Sequence, residues 1–277
     1  MRRLAALALV AALALLQGCS AIRVVYSNAD TVLRWQANSY FDFRDSASEE
    51  LDRRIAAFLG WHRTAALPQY AKIAGEAAVR VERGLTRADV DWFYATVEAQ
   101  AREGLRAGAV ELAPMLDRLE PDQLRHLEQR LRQENRKFER EHLRGGPAER
   151  RQRRLKHSIE RLEDWFGTLA EEQEALVRRY NDSAPMVNDM RDRDRKRRQA
   201  ELVAMLRARE ARNRLADWAP AWDRGREPAY EAAFREWRAA YAGMIVALDK
   251  TLTAEQRRAA AARLRAFAAD FEQMQRR

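Results

Sequence analysis

The chain has 277 residues, of which 34% are charged, and it carries a formal net charge of +9 and a single cysteine. One cysteine excludes an internal disulfide framework, so a packed core must hold the fold, and the chain is long enough to bury one. The low numbers of glycine (11) and proline (7), beside many Ala, Leu, Arg and Glu residues, favour helices.

The N-terminus has the three parts of a secretory signal peptide. Arg2 and Arg3 give a positive start, Leu4–Leu16 form an uncharged apolar run, and a small-residue exit follows. The apolar run is too short to cross a bilayer comfortably as a helix. The stretch LQGC resembles the lipobox of bacterial lipoproteins, which implies a signal peptide at 1–18 and a mature chain that begins at a Cys19 carrying diacylglycerol and a further acyl chain such as palmitate. An ordinary cleaved signal with an incidental cysteine is the alternative.

The lipobox resemblance places the protein in the cell envelope of a Gram-negative bacterium. Ser20 follows the cysteine where an Asp would favour the inner membrane, so we expect the inner leaflet of the outer membrane, facing the periplasm. A basic protein at this location does not meet nucleic acid. The predicted partners are the membrane, through the lipid anchor, and either envelope proteins or anionic lipid and lipopolysaccharide.

The spacing of apolar residues predicts an all-α fold. Apolar residues recur at intervals of three and four residues, and no stretch alternates between apolar and polar residues over the length of a strand. We predict an elongated or two-lobed array of about eight or nine helices, among them a long polar helix at Met186–Trp218. The predicted domains are a main helical domain at 19–218, a linker at 219–228 and a C-terminal helical hairpin at 229–277 that packs on the main domain.

A weak repeat marks four predicted helix starts. Each copy has a leucine, a capping or short residue, one or two acids, and often a glutamine: LTRAD at Leu85, LEPDQ at Leu119, LAEEQ at Leu169 and LTAEQ at Leu252. In the last copy, Thr253 is expected to cap the helix while Gln256 reaches back to the cap. The irregular spacing of the copies excludes a solenoid with one period.

The histidines are the first residues to consider for chemistry. His62 stands between Trp61 and Arg63, shortly before Pro68, which is expected to interrupt the helix. We weigh a half-buried structural histidine against a catalytic one, for which the sequence offers no partner. Glu139 and His142 have the spacing of a di-iron ligand pair, but the second pair is missing. No catalytic, metal or cofactor motif is present in the sequence, so we predict no catalytic residue, no metal and no cofactor.

Two basic clusters are candidates for a functional surface. The first is Arg195, Lys196, Arg197 and Arg198, and the second runs from Arg150 to Lys156. They could bind phosphate-bearing lipid or lipopolysaccharide, or they could form solvated faces supported by acid–base pairs four residues apart. The seven tryptophans could likewise line a binding groove or fill a core.

The N-terminal third resembles an uncharacterised family of proteobacterial lipoproteins that carry a domain of unknown function. The matching positions are Tyr26, Asn28, Asp30, Trp35, Tyr40, Asp42, Trp61, His62, Arg63, Leu67, Pro68 and Tyr70. The resemblance implies a helical periplasmic lipoprotein and brings no known activity or functional residues. The L-T-x-x-Q helix starts are also similar to those of small cradle-shaped periplasmic chaperones, although this chain is about twice too long for that cradle.

These observations predict a lipid-anchored envelope protein without enzymatic activity, which binds polypeptides in a chaperone-like way or serves as a structural protein. The alternative is a binder of anionic lipid or lipopolysaccharide through the basic helices. An enzyme centred on His62 is the third hypothesis.

Overall fold

The computed structural model describes residues 22–44 and 46–276. All regular secondary structure within these ranges is helical, which confirms the predicted all-α fold. The predicted signal peptide (1–18) and Cys19 lie outside the described residues. The helices are α1 (Ala29–Phe41), α2 (Ser46–Trp61), α3 (Leu67–Arg83), α4 (Arg87–Leu116), α5 (Pro121–Phe138), α6 (Pro147–Phe166), α7 (Glu171–Ser183), α8 (Asn188–Arg207), α9 (Ala211–Trp218), α10 (Pro228–Asp249) and α11 (Ala254–Gln275).

The described ranges thus hold these eleven α-helices, beside a helical stretch at 22–27, a little more than the eight or nine predicted. One added helix comes from the predicted single helix Met186–Trp218, which divides into α8 and α9. Arg209 lies between them with φ 57°, a left-handed conformation, and its N–H bonds to Leu206 O at 3.1 Å while the N–H of Glu210 bonds to Met205 O at 3.1 Å. Many helices end with one residue in this left-handed conformation, and that residue is usually a glycine. Because arginine is common inside helices, its presence at position 209 does not indicate that a helix ends there.

Pro68 does not interrupt the chain of helices, contrary to the prediction. A π-helical segment, His62–Ala66, leads directly from α2 into α3. Proline lacks an N–H and crowds the carbonyl four residues earlier, and the wider π turn accommodates both effects. Thr64 Oγ1 donates to Gly60 O at 2.9 Å within this segment. A second π-helical segment, Glu139–Leu143, follows α5.

Helices α3 and α11 form the most extensive helix pair, and they run antiparallel. Tyr70 contacts Phe271 at 5.6 Å between ring centroids, and twelve residues further along α3, Glu82 pairs with Arg265 at 2.6 Å. The interface is built from small side chains, which let the two backbones approach closely. They are Ala71, Ala74, Ala77 and Ala78 on α3 with Ala260 and Ala261 on α11, each at most 8% exposed.

Many of the buried apolar side chains fall into two clusters, and those between α3 and α11 lie outside both. The first draws on α1, α2, α4, α5, α8 and α9 and includes Leu51, Leu127 and Met205. The second draws on α6, α7 and α10 and includes Val177 and Leu248. Burial of a large apolar side chain contributes roughly 1.5–3 kcal/mol relative to exposure. The long α4 contacts α2 and α9 on one side and α10 on the other, so it links the two clusters.

The C-terminal helices are distributed over the body of the molecule. Residues 219–227 form turns without an α-helix, and α10 begins at Pro228. Helix α10 packs against α7 and α4, whereas α11 packs against α3 and α6. The domain boundaries given above stay a prediction. None of the helices in the described ranges combines the length and the apolar character that a membrane span requires.

Candidate binding cleft

All four predicted helix starts are present, at α4, α5, α7 and α11. The expected cap at α11 is confirmed: Thr253 Oγ1 accepts from the N–H of Gln256, and Gln256 Oε1 accepts from the N–H of Thr253, both at 3.1 Å. In each copy the side chain three residues after the cap also binds the end of another helix. These side chains are Asp89, Gln123, Gln173 and Gln256. The repeat therefore caps one helix and fastens it to a second.

Two of these glutamines bind one another. Gln173 Nε2 donates to Gln256 Oε1 at 2.8 Å, and Gln256 Nε2 donates to Gln173 Oε1 at 3.1 Å. Gln173 Nε2 also donates to Thr251 O at 3.0 Å, just after α10, and Gln256 Nε2 donates to Thr168 O at 3.3 Å, just after α6. Gln173 is 1% exposed. The starts of α7 and α11 and the ends of α6 and α10 thus meet at one polar centre.

The start of α4 is held by a buried carboxylate. Asp89 Oδ1 accepts from Arg80 and Arg83, each at 2.6 Å, and Oδ2 accepts from Thr86 N at 2.9 Å and Thr86 Oγ1 at 2.6 Å. Burial alone would raise the pKa of Asp89, but the hydrogen bonds from Thr86 and Arg80 and the charge of Arg83 outweigh it and lower the pKa. Asp89 is therefore ionised at physiological pH, and the two arginines compensate its negative charge.

A second buried carboxylate ties the loop before α4 to the loop before α11. Asp249 accepts from Leu85 N at 2.9 Å and from Arg257 Nη1 at 2.7 Å. The same guanidinium donates to Val81 O at 2.7 Å, at the end of α3. The three loops that precede α4, α7 and α11 consequently converge at one end of the second apolar cluster.

An apolar cleft of about 280 Å³ lies beside these loops. Helices α3, α4, α6, α10 and α11 all contribute to it. Most of its lining is apolar or aromatic, including Leu85, Val90, Trp92, Phe93, Trp165, Tyr241, Ile245, Leu252 and Leu264. The two carboxylates at its wall, Asp89 and Asp249, are both paired with arginine. Burial raises the pKa of Tyr241, which keeps that phenol protonated. The cleft accordingly presents no unpaired carboxylate to an occupant.

Apolar side chains are also exposed at the edge of the cleft. Phe93 lines the cleft and is 42% exposed, and Val97, one turn later on a similar side of α4, is 44% exposed. Leu105 is 45% exposed but lies about 120° around the helix from Phe93, so it belongs to a different side of α4. A concave apolar site with exposed apolar side chains at its edge is typical of a surface that binds another apolar chain.

Trp61, His62 and Arg63 lie apart from this cleft, where α2 passes into the π-helical segment. The ring of His62 lies 5.5 Å from Tyr70, 5.6 Å from Tyr26 and 6.0 Å from Phe58, between centroids. A hydrogen bond of 3.2 Å joins Tyr26 Oη and His62 Nδ1. Burial lowers the pKa of His62, so the imidazole is neutral at pH 7. His62 thus packs between aromatic rings from three parts of the chain.

Three residues of the first basic cluster are engaged with the body of the molecule through hydrogen bonds. Lys196 pairs with Asp192 and Glu139, both at 2.7 Å, and these hydrogen bonds raise its pKa. Arg198 donates to Ala221 O at 3.0 Å and Trp218 O at 3.1 Å, and Arg197 donates to Arg224 O at 3.1 Å.

The fourth residue of this cluster, Arg195, lies 4.3 Å above the ring of Phe138. Its neighbours Arg197 and Arg198 fasten the turns of residues 219–227 to α8. The cluster therefore acts mainly within the fold.

The second basic cluster is partly internal as well. Arg154 donates to Asn181 Oδ1 at 2.9 Å and to Ala184 O and Pro185 O at 3.0 Å, which satisfies carbonyls at the end of α7. Arg150 pairs with Asp189 at 2.9 Å. Arg151 is exposed.

Glu139 and His142, which have the spacing of a di-iron ligand pair, contact other residues. Glu139 pairs with Lys196, and the His142 ring contacts Phe138 at 4.6 Å. Across residues 22–44 and 46–276, no group of three His, Cys, Asp or Glu side chains could hold a metal ion.

The cleft was not predicted from the sequence, although two signals for it were present. Leu85 and Leu252, the leucines of two repeats, line it, and so do Trp92 and Trp165. Of the seven tryptophans, Trp35 is 65% exposed and the other six are half-buried. Trp218 and Trp237 pack against the two apolar clusters, whereas Trp92 and Trp165 line the cleft, so the tryptophans do not share one role.

Residues 39–219 match a family described as a family of unknown function (DUF6279). No curated protein and no solved structure matches the chain.

Proposed function

Because the chain belongs to the DUF6279 family, whose function is unknown, we propose a function from its own geometry: it is a lipid-anchored envelope protein that binds apolar segments of other polypeptides and catalyses no reaction. Cys19 carries the anchor, and the protein faces the periplasm from the outer membrane. The two apolar clusters are two lobes of one helical array, with the cleft in the second.

The single observation that carries this proposal is the aromatic cleft with Phe93 and Val97 exposed at its edge. A polypeptide segment with apolar residues spaced as on a helix or strand would place one side chain in the cleft and another against Phe93 and Val97. Because the carboxylates at the cleft wall are paired with arginine, a cationic ligand finds no unpaired carboxylate there. An apolar occupant loses no hydrogen bond on entering.

The alternative, a binder of anionic lipid or lipopolysaccharide, has weaker support. Lys196, Arg197 and Arg198 already bind carboxylates or carbonyls of the same chain, and a phosphate would have to compete with these contacts. An enzyme centred on His62 has weaker support still, because the ring is packed among Tyr26, Phe58 and Tyr70. A catalytic histidine needs access to a substrate proton.

The proposal is tested by the suppression of aggregation of reduced insulin, followed by light scattering. The chain should suppress aggregation, and Phe93→Ser should weaken this effect about fivefold. Full burial of a phenylalanine contributes roughly 1.5–3 kcal/mol, and Phe93 is already more than half buried, so about 1 kcal/mol is at stake.

Val110→Ser is the matched control, because Val110 is an exposed residue of the same helix that does not line the cleft. It should suppress aggregation as the unaltered chain does, and thermal unfolding should show that both variants are folded. Aggregation that proceeds unchanged beside an equimolar amount of the unaltered chain contradicts the proposal, and so does equal activity of Phe93→Ser and the unaltered chain.

A further inference from the structure

The segment nearest the predicted anchor exposes four large apolar side chains. Val24 is 60%, Val25 62%, Val32 48% and Trp35 65% exposed. They fall within twelve residues, in a helical stretch at 22–27 and in α1. Single exposed apolar residues are ordinary, but a concentration in one short element indicates a contact surface. We call these four residues the outer face.

The opposite side of the same segment is attached to the body of the protein. Arg23 pairs with Asp270 of α11 at 3.1 Å, and Tyr26 is hydrogen-bonded to His62 at 3.2 Å. Leu33 and Ala37 pack against the first apolar cluster. These contacts fix which side of the segment points outward, so the outer face is a defined surface.

The outer face lies close to the anchor along the chain. Val24 is five residues after Cys19, and five residues span at most about 18 Å when fully extended. When the acyl chains of Cys19 lie in a bilayer, the linking residues are therefore short enough to keep Val24 and Val25 within about 18–22 Å of the acylated residue, a distance from which they can reach the headgroup layer. Valine and tryptophan are side chains that enter this layer, and tryptophan is enriched there.

We propose that the outer face lies in the interfacial layer of the membrane that holds the acylated Cys19. This inference rests on the proposed lipid anchor, but it does not depend on the proposed binding of polypeptides. The segment would lie along the membrane surface while Arg23, Tyr26 and Leu33 connect it to the body. The protein would then sit on the membrane in one orientation instead of swinging on its tether.

The protein offers a direct test, because its single cysteine is consumed by acylation in the mature lipoprotein. Val32→Cys therefore introduces the only reactive thiol, which can be labelled with an environment-sensitive nitrobenzoxadiazole dye. The lipidated protein is reconstituted into vesicles of phosphatidylethanolamine and phosphatidylglycerol, with or without lipids that carry a quencher on their acyl chains. We expect a blue shift and about a twofold loss of fluorescence with the quencher, since an interfacial helix reaches the acyl boundary.

Val110→Cys is the matched control, because this exposed valine on α4 lies outside the outer face. Its label should remain unquenched. Val25→Cys, at a second exposed position, should show the same blue shift and quenching as Val32→Cys. Agreement of the two positions shows that the result is not caused by one particular substitution.

Each outcome bears on the inference. Protein that floats with the vesicles while its labels at 25 and 32 stay unquenched overturns it. A blue shift that grows with protein concentration without quenching by lipid would assign the face to a second copy of the chain and also overturn it. Protein that fails to float refutes the anchor and this inference together, whereas failure to suppress insulin aggregation refutes only the binding of polypeptides.

Discussion

Replacing Asp89 with asparagine is expected to lower the free energy of unfolding by about 3 kcal/mol. The carboxylate is 3% exposed and accepts hydrogen bonds from Thr86, Arg80 and Arg83. Breaking a buried ion pair by removing one partner costs roughly 3–5 kcal/mol, and the partial exposure of both arginines places the effect near the lower limit. Denaturant unfolding followed by circular dichroism measures it.

Asp91→Asn is the control, because Asp91 lies on the same helix two residues later. It forms an exposed ion pair with Arg87 at 2.9 Å, and exposed pairs contribute about 0–1 kcal/mol. Equal destabilisation by the two variants would mean that burial of Asp89 contributes nothing to its effect, and the account of this helix start would be wrong.

The contribution of Asp89 should depend on pH in one direction. Its pKa is lowered in the folded state, so the folded chain holds this group ionised at pH values where the unfolded chain takes up a proton. The stabilisation is fully present above the ordinary pKa of 3.8 and is lost as the pH falls below that value. The difference in unfolding free energy between the unaltered chain and Asp89→Asn should therefore shrink below about pH 4.

The helix starts were the most predictable part of the fold, since a cap and the residue three positions later act within one short stretch of sequence. Thr253 and Gln256 illustrate this, because both of their capping bonds were expected. The end of α8 could not be predicted in the same way. Arg209 adopts a left-handed conformation that glycine usually supplies, and only the packing of α8 and α9 on other helices selects it.

The basic clusters show what charge patterns leave open. Acid–base pairs four residues apart on one helix were expected from the sequence, and the pair of Asp192 and Lys196 is one of them. Nothing in the sequence indicated that Glu139 also binds Lys196 or that Arg198 binds the carbonyls of Trp218 and Ala221. A partner that is distant in sequence becomes visible only when the helices are packed, so an exposed charged surface cannot be inferred from a run of arginines.

The cleft was unpredictable for the same reason. Its walls come from five helices, and residues such as Trp92, Trp165 and Leu264 become neighbours only through tertiary packing. Periodicity predicted that tryptophans lie on apolar faces, but it could not separate Trp92 at the cleft from Trp35 on the outer face. The sequence predicts which side of a helix carries the apolar side chains. It does not predict which other helix, cleft or solvent that side faces.

Replacing Gln173 with alanine is expected to destabilise the fold by about 2–3 kcal/mol. The substitution leaves Ala170 N and Thr251 O without their bonds to this side chain and removes a partner of the Gln256 amide. A buried polar group that loses its partner costs about 1–3 kcal/mol. Gln129→Ala, at an exposed position of α5, is the control and should change the unfolding free energy by less than about 0.5 kcal/mol.

The reciprocal bonds between Gln173 and Gln256 make the double substitution informative. If the two side chains serve one polar centre, Gln173→Ala already abolishes part of what Gln256 contributes, so Gln256→Ala should cost less in that background than alone. We expect the double variant to be about 1 kcal/mol more stable than the sum of the two single effects predicts. Independent caps would instead add within about 0.5 kcal/mol. Denaturant unfolding of the four proteins decides between them, and simple additivity would mean that the two helix starts do not cooperate.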